Sequence, residues 1–221
     1  TTPGQAAPGS TLPPQRKLPD AVDGLTGSQF ALQLLGISDQ TVGTTVLNAI
    51  KSGNFSQAAS ATPAGASPLS DDAREAAIKT ALTANHYPPF LSTFIPVDVR
   101  AGSHTGTFFV SPDVLSIGRD NDYLRIPMKP RTAQEIADHF GLLLPTKKMV
   151  NAMITAGNFT HETLTGHDAY GGSRDHNYLY IRSNEQIQQQ RNSHNVPNKG
   201  YIGGKKDIFI SANLALPVAT T

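Results

Sequence analysis

The sequence predicts a mixed fold of helices and sheet, of the α+β or mixed α/β class. Apolar residues recur at helical spacing before residue 85, alternate with polar residues from about residue 97 to 126, and then return to helical spacing. The chain has 221 residues, 38% of them hydrophobic, which is enough to bury a substantial core. We expect four parts: an extended proline-rich arm (1–24), a short helical segment (25–56), a linker (57–69) and an α/β body (70–221).

Proline dominates the first 20 residues, where Leu12 and Leu18 are the large apolar side chains. The prolines are Pro3, Pro8, Pro13, Pro14 and Pro19. This composition favours an extended, polyproline-like conformation, because too little apolar surface is present to form a core. Two interpretations remain open for this arm: the remnant of a leader, or a segment that orders on a neighbouring subunit.

Three helices are predicted before residue 90. The first two cover residues 28–35 and 39–52, and each is followed by a glycine, the residue that adopts positive φ most readily at a helix end. A stretch of small residues and proline, 57–68, separates them from a third helix over 70–84, which a serine caps.

The middle of the chain predicts two strand–turn–strand units. The first is a hairpin whose strands, near residues 97 and 109, flank the turn 101–104. In the second, strands over 114–117 and 123–126 flank the polar turn 118–122.

Helices and short strands are predicted in the remainder. Thr132 and Glu135 form a capping-box pattern for a helix that ends at Gly141, and another helix runs from 145 to 157. The tail is expected to hold a strand over 178–182, a polar helix over 184–191 that begins with a Ser183–Gln186 capping box, and a final strand over 207–211. Residues 119–126 and 174–181 match at five positions, which suggests either a degenerate internal duplication or a coincidence of turn chemistry.

Composition excludes several classes of function. Eighteen basic and 17 acidic side chains give a net charge of +1, so we expect no nucleic acid partner. No apolar run approaches the ~18 residues that span a bilayer. The chain has no cysteine, which excludes disulfides, thiolate zinc sites, iron–sulfur clusters and cysteine nucleophiles. It begins at Thr1 without methionine, which favours removal of a leader and therefore a secreted, extracellular or cell-surface protein.

Asp120, Asn121 and Asp122 place oxygen atoms on one predicted turn. Three interpretations remain open: an ordinary Asx-rich turn, a site for a hard cation such as Ca²⁺, or a pair of catalytic carboxylates assisted by His104 or His176. No cofactor is predicted beyond this calcium alternative.

A second group of candidate metal ligands lies between residues 161 and 176. Its members are His161, His167, Asp168, Asp175 and His176, with no HExxH motif among them. The glycines nearby equally favour a surface loop. Lys205, Lys206 and Asp207 either hold an anion or protect a strand edge. Asn54 and Asn158 lie in N-glycosylation sequons, which matter only if the chain is exported through a eukaryotic pathway.

Segments spread over residues 74–211 carry a family resemblance. They include Val110-Ser111-Pro112-Asp113-Val114-Leu115-Ser116-Ile117-Gly118, Tyr123-Leu124-Arg125-Ile126-Pro127-Met128, Thr132-Ala133-Gln134-Glu135-Ile136-Ala137-Asp138, Leu144-Pro145-Thr146-Lys147-Lys148-Met149-Val150 and Gly203-Gly204-Lys205-Lys206-Asp207. As a set, these segments resemble a family of exported, functionally uncharacterised bacterial proteins. The resemblance brings no established activity to transfer. The family pattern tends to have histidine in place of Gly204 and usually continues into an aromatic, histidine-containing C-terminal segment, and these two departures weaken an enzymatic interpretation.

Three functions follow as hypotheses. The first is a secreted structural or interaction protein that assembles with itself into a filament, sheath or surface layer, through the arm or a strand edge. The second is a secreted hydrolase of cell-wall or other extracellular polymer that uses Asp120 and Asp122. The third is a carbohydrate-binding module whose tyrosines, Tyr123, Tyr178 and Tyr180, stack on sugar rings of an extracellular polysaccharide.

Overall fold

The computed structural model describes residues 18–160, 176–193, 199–202 and 210–211. Helices and small sheets alternate along this part of the chain, which confirms the predicted mixed α+β class. The helices are α1 (Gly27–Leu35), α2 (Gln40–Ser52), α3 (Phe55–Ala61), α4 (Asp71–Thr83), α5 (Pro130–Phe140), α6 (Lys147–Thr155) and α7 (His176–Ser193), with a 3₁₀ helix at Pro89–Ser92. The strands are β1 (Ile95–Ala101), β2 (His104–Val110), β3 (Ser116–Arg119), β4 (Asp122–Arg125), β5 (Leu142–Leu143), β6 (Phe159–Thr160), β7 (Gly200–Tyr201) and β8 (Ile210–Ser211).

Local capping sets the helix ends, as predicted for the serine before the third helix and for the glycines after the first two. Asp39 accepts hydrogen bonds from the first backbone amides of α2, and Ser70 does so for α4. Gly36 and Gly53 adopt positive φ, 66° and 82°, immediately after α1 and α2. Asn85, just beyond α4, also has a positive φ, 62°.

The predicted linker, 57–69, begins inside a helix. Asn54 caps α3 by accepting from the amide of Gln57, and Ala58 is fully buried. Further along, the amide of Leu69 donates to the carbonyl of Leu34 at the end of α1. The segment therefore packs on the helices that precede it.

Both predicted hairpins are confirmed. β1 pairs antiparallel with β2 across the turn at residues 102–103, and β3 pairs antiparallel with β4 across Asp120 and Asn121. The larger sheet has the order β1-β2-β8-β5, and β6 pairs with β7 in parallel. Residues 203–209, which include Gly204 and the Lys205–Asp207 group, lie outside the described residues.

Two predicted helix starts and one predicted strand are wrong. Residues 178–182 belong to α7, which also contains the Ser183–Gln186 pattern, so no helix starts there. The side chains of Tyr178 and Ile181 are buried three residues apart, and this helical face packs into the core, which overrides the strand propensity of the local sequence. α5 starts at Pro130 rather than with a Thr132 cap, because proline is well suited to the first helical position.

The suggested internal duplication is not matched by the structure. Tyr123 and Leu124 lie on strand β4, whereas the corresponding Tyr178 and Leu179 lie on helix α7. The sequence match therefore reflects similar residues in two different local structures.

One large hydrophobic cluster joins the helical segment to the α/β body. It includes Phe30 of α1, Ile50 of α2, Ile78 of α4, Ile136 of α5 and Ile181 of α7, all nearly inaccessible to solvent. A second cluster lies between the four-stranded sheet and α6. Among the described residues, no helix combines the length and apolar character needed to cross a bilayer.

Candidate functional site

The turn that carries Asp120, Asn121 and Asp122 connects β3 to β4. Asp120 is exposed, and its Oδ1 accepts a hydrogen bond of 3.1 Å from the backbone amide of Phe90. The Oδ1 of Asp122 accepts from both the amide and the hydroxyl of Ser28, each at 3.0 Å. Both carboxylates therefore tie the turn to neighbouring elements.

Asp122 lies at the N-terminal end of α1, where the helix dipole favours a negative charge. The helix approaches the hairpin so closely that a Cβ at Gly27 would lie 2.4 Å from the backbone of Tyr123. At Gly118, where φ is +132°, a Cβ would lie 2.3 Å from the carbonyl oxygen of Asp122. These two glycines allow the contact, which gives Asp122 a structural role.

Of the predicted histidines, His104 lies away from this turn. His104 is exposed at the start of β2, on the hairpin of the other sheet. His176 is the first residue of α7, whereas His161, His167, Asp168 and Asp175 lie outside the described residues. Within the ranges that the structure describes, no three His, Cys, Asp or Glu side chains group as metal ligands.

The three tyrosines proposed to stack on sugars contact protein groups instead. Tyr178 is buried and stacks on Phe55 with ring centroids 6.2 Å apart. Arg74 lies 5.0 Å from the ring centroid of Tyr180. Tyr123 packs edge-on against another aromatic ring. Carbohydrate binding gains no support from these surroundings.

A buried ion pair joins Asp113 and Arg125, and the sequence analysis did not predict it. The side chains are 4% and 3% exposed. Nε of Arg125 donates to Oδ1 of Asp113 at 3.1 Å, and Nη2 donates to Oδ2 at 2.8 Å. This bidentate geometry compensates for the loss of water around both charges.

Side chains from α7 and β4 complete the surroundings of Arg125. Asn184 accepts from both the backbone amide and Nη1 of Arg125, and Tyr123 accepts from Nη2 at 3.0 Å while donating to Gln188 at 3.1 Å. Burial lowers the pKa of Arg125, but Asp113, together with Tyr123 and Tyr201, raises it, and the net shift is upward, so the guanidinium remains charged. Burial raises the pKa of the Tyr123 phenol, against the opposing effect of Arg125.

This network connects the β3–β4 hairpin to the C-terminal part of the body. Two guanidinium groups contact the ring of Tyr201 in β7: Cζ of Arg125 lies 5.4 Å and Cζ of Arg191 5.6 Å from the ring centroid. One signal in the sequence pointed to the ion pair: Arg125 interrupts an apolar strand between Leu124 and Ile126. The partner, Asp113, lies 12 positions earlier in the loop before β3, and nothing in the sequence indicates that the two side chains meet.

The outer edge of β1 is the second candidate site. β1 is the first strand in the order β1-β2-β8-β5, and no strand of the described residues pairs with its outer side. Val97 is fully buried against the sheet core, whereas Pro96, Asp98 and Arg100 are exposed. The carbonyl of Pro96 accepts from Nδ2 of Asn158 at 3.2 Å, so one end of this edge is covered. Beyond that point the strand can accept a further strand.

Comparison of the chain with known protein families, with curated proteins and with solved structures found no match. The resemblance to exported bacterial proteins therefore stays a prediction from the sequence.

Proposed function

We propose that this chain is an exported structural or interaction protein that assembles with copies of itself through the outer edge of β1. The observation that carries the proposal is the edge position of this seven-residue strand in the four-stranded sheet. An edge strand presents unpaired backbone donors and acceptors, and pairing with another strand satisfies them.

The electrostatics of the chain favour association. Its formal net charge is +1, so copies of the chain repel one another only weakly. Proline and charged residues on an edge strand commonly limit indiscriminate pairing. Pro96, Asp98 and Arg100 therefore support a selective contact rather than open aggregation.

The proline-rich arm supplies a second contact in this proposal. Its last part is docked on the body: Leu18 is fully buried, and the hydroxyl of Tyr87 donates to the carbonyl of Pro19 at 2.6 Å. The amide of Val22 donates to the carbonyl of Asn85 at 2.8 Å. In this proposal the 17 residues before Leu18 contact a neighbouring subunit.

Sedimentation velocity over a wide concentration range, with negative-stain microscopy of the same samples, tests the proposal. We expect oligomers that grow with concentration, and weaker association in Arg100→Pro, which removes an amide of the edge. Arg100→Ala is the matched control, since it removes the same charge and keeps the amide. The association of a chain that lacks residues 1–17 measures the contribution of the arm.

Monodisperse single chains at every concentration would contradict the proposal. Equal association of Arg100→Pro and the unaltered chain would exclude the β1 edge. The hydrolase and carbohydrate-binding hypotheses stay predictions.

A further inference from the structure

We infer that the strand that pairs with the β1 edge is β1 of a second copy, antiparallel and centred on Val99. This inference rests on the proposed function and identifies its partner. The two copies are then related by a two-fold axis that passes between the two Val99 residues. Such a contact uses the same surface on both molecules.

The backbone of β1 determines which residues can pair across the edge. The carbonyl of Pro96 accepts from Asn158, which is not part of β2, so Pro96 directs its backbone away from β2. Backbone groups alternate in direction along a strand, and therefore Asp98 and Arg100 also direct their amides and carbonyls outward. The position of Pro96 agrees with this assignment, because proline has no amide to donate to β2.

The outward residues restrict the antiparallel registers. Centring the contact on Asp98 places this carboxylate opposite its own copy, and centring it on Arg100 places two guanidinium groups opposite each other. Both registers are repulsive. Centring the contact on Val99 places Asp98 of each copy opposite Arg100 of the other, which gives two attractive pairs. In this register the outward amides and carbonyls of Asp98 and Arg100 in both copies form hydrogen bonds with each other.

The side chains are available for these two ion pairs. Asp98 and Arg100 are both exposed, on the face of the sheet opposite the buried Val97. Asp98 accepts a 2.7 Å hydrogen bond from the hydroxyl of Thr107, which holds its carboxylate on that face. In the part of the chain that the structure describes, neither Asp98 nor Arg100 forms an ion pair.

Charge reversal in the full-length chain tests the register. Asp98→Arg alone places arginine opposite arginine, and Arg100→Asp alone places aspartate opposite aspartate. We expect each variant to weaken self-association by about tenfold or more, since two attractive pairs become repulsive. An equimolar mixture of the two variants restores both attractive pairs, so we expect a mixed dimer in native mass spectrometry.

Lys148→Asp, a charge change of the same size at an exposed position of α6, is the control and should associate like the unaltered chain. Circular dichroism and thermal melting show whether each variant folds. A variant that does not fold would not regain association when it is mixed with the other. The double variant Asp98→Arg with Arg100→Asp should also associate normally.

The outcomes separate this inference from the proposed function. If the single variants associate like the unaltered chain, or if mixing them does not restore the lost association, the register is wrong while the proposed assembly still stands. An unaltered chain that stays monomeric at all concentrations overturns both. Because a two-fold contact closes on itself, assemblies larger than the dimer must disappear when residues 1–17 are removed, if the arm supplies the second contact.

Discussion

Replacing Asp113 with asparagine tests the buried ion pair most directly. The side chain keeps its shape, and Oδ1 still accepts from the amide of Val114, but the negative charge and the second acceptor for Arg125 are lost. The guanidinium is 3% exposed and cannot recover its hydration. Breaking such a pair costs about 3–5 kcal/mol.

We therefore expect the free energy of unfolding of Asp113→Asn to fall by about 3 kcal/mol, near the lower bound because the asparagine oxygen still accepts one hydrogen bond. For a chain of this size the melting temperature should fall by about 6–12 °C. Urea denaturation followed by circular dichroism measures the first quantity, and thermal melting measures the second. Asp23→Asn is the control, because its pair with Arg119 is exposed and should contribute less than about 1 kcal/mol.

A double-mutant cycle with Arg125→Met completes the test. The double variant removes both charges, so we expect it to lose less stability than the sum of the single variants, with a coupling of about 2 kcal/mol. The buried pair would not have the expected importance if the free energy of unfolding of Asp113→Asn lay within about 1 kcal/mol of that of the unaltered chain. Strict additivity of the two single variants would lead to the same conclusion.

Three further predictions concern packing and pH. Gly27→Ala should lower the free energy of unfolding by about 2 kcal/mol or more, because the methyl group meets hairpin backbone, whereas Gly65→Ala meets nothing within 4 Å and should be neutral in the same urea titration. Burial, with a smaller effect of Asp20, raises the pKa of Tyr87, so the stability that its protonated phenol contributes is complete below about pH 10 and is lost above it. The free energy of unfolding of Tyr87→Phe should therefore fall less steeply at alkaline pH. An equally steep fall in this variant would show that Tyr87 is not the cause. Hydrogen bonds from a lysine and an arginine lower the pKa of Glu135, so the stability that its carboxylate contributes is present above about pH 4.5 and is lost on further acidification. The melting temperature of Glu135→Gln should therefore drop less on acidification than that of the unaltered chain. Equal drops would show that Glu135 does not contribute.

Local signals in the sequence predicted most helix ends and both hairpins. Asp39, Ser70 and Thr146 cap their helices through contacts with the next few residues, so no tertiary information is needed. Glycines after α1, α2 and α5 have the positive φ that their positions suggested.

The errors occur where distant contacts decide the structure. Tyr178 and Ile181 have strand propensity, but the hydrophobic core selects a helix. Asp122 was considered for catalysis because a sequence shows two neighbouring carboxylates and does not show that Ser28, 94 positions earlier, donates to one of them. The ion pair of Asp113 and Arg125 was missed for the same reason.

The contact between Ser28 and Asp122 constrains the order in which the chain can fold. During synthesis, α1 leaves the ribosome long before Asp122, whose carboxylate accepts hydrogen bonds from the first turn of this helix. A short nascent chain therefore lacks this contact, and α1 reaches its final packing only after the β3–β4 hairpin has emerged.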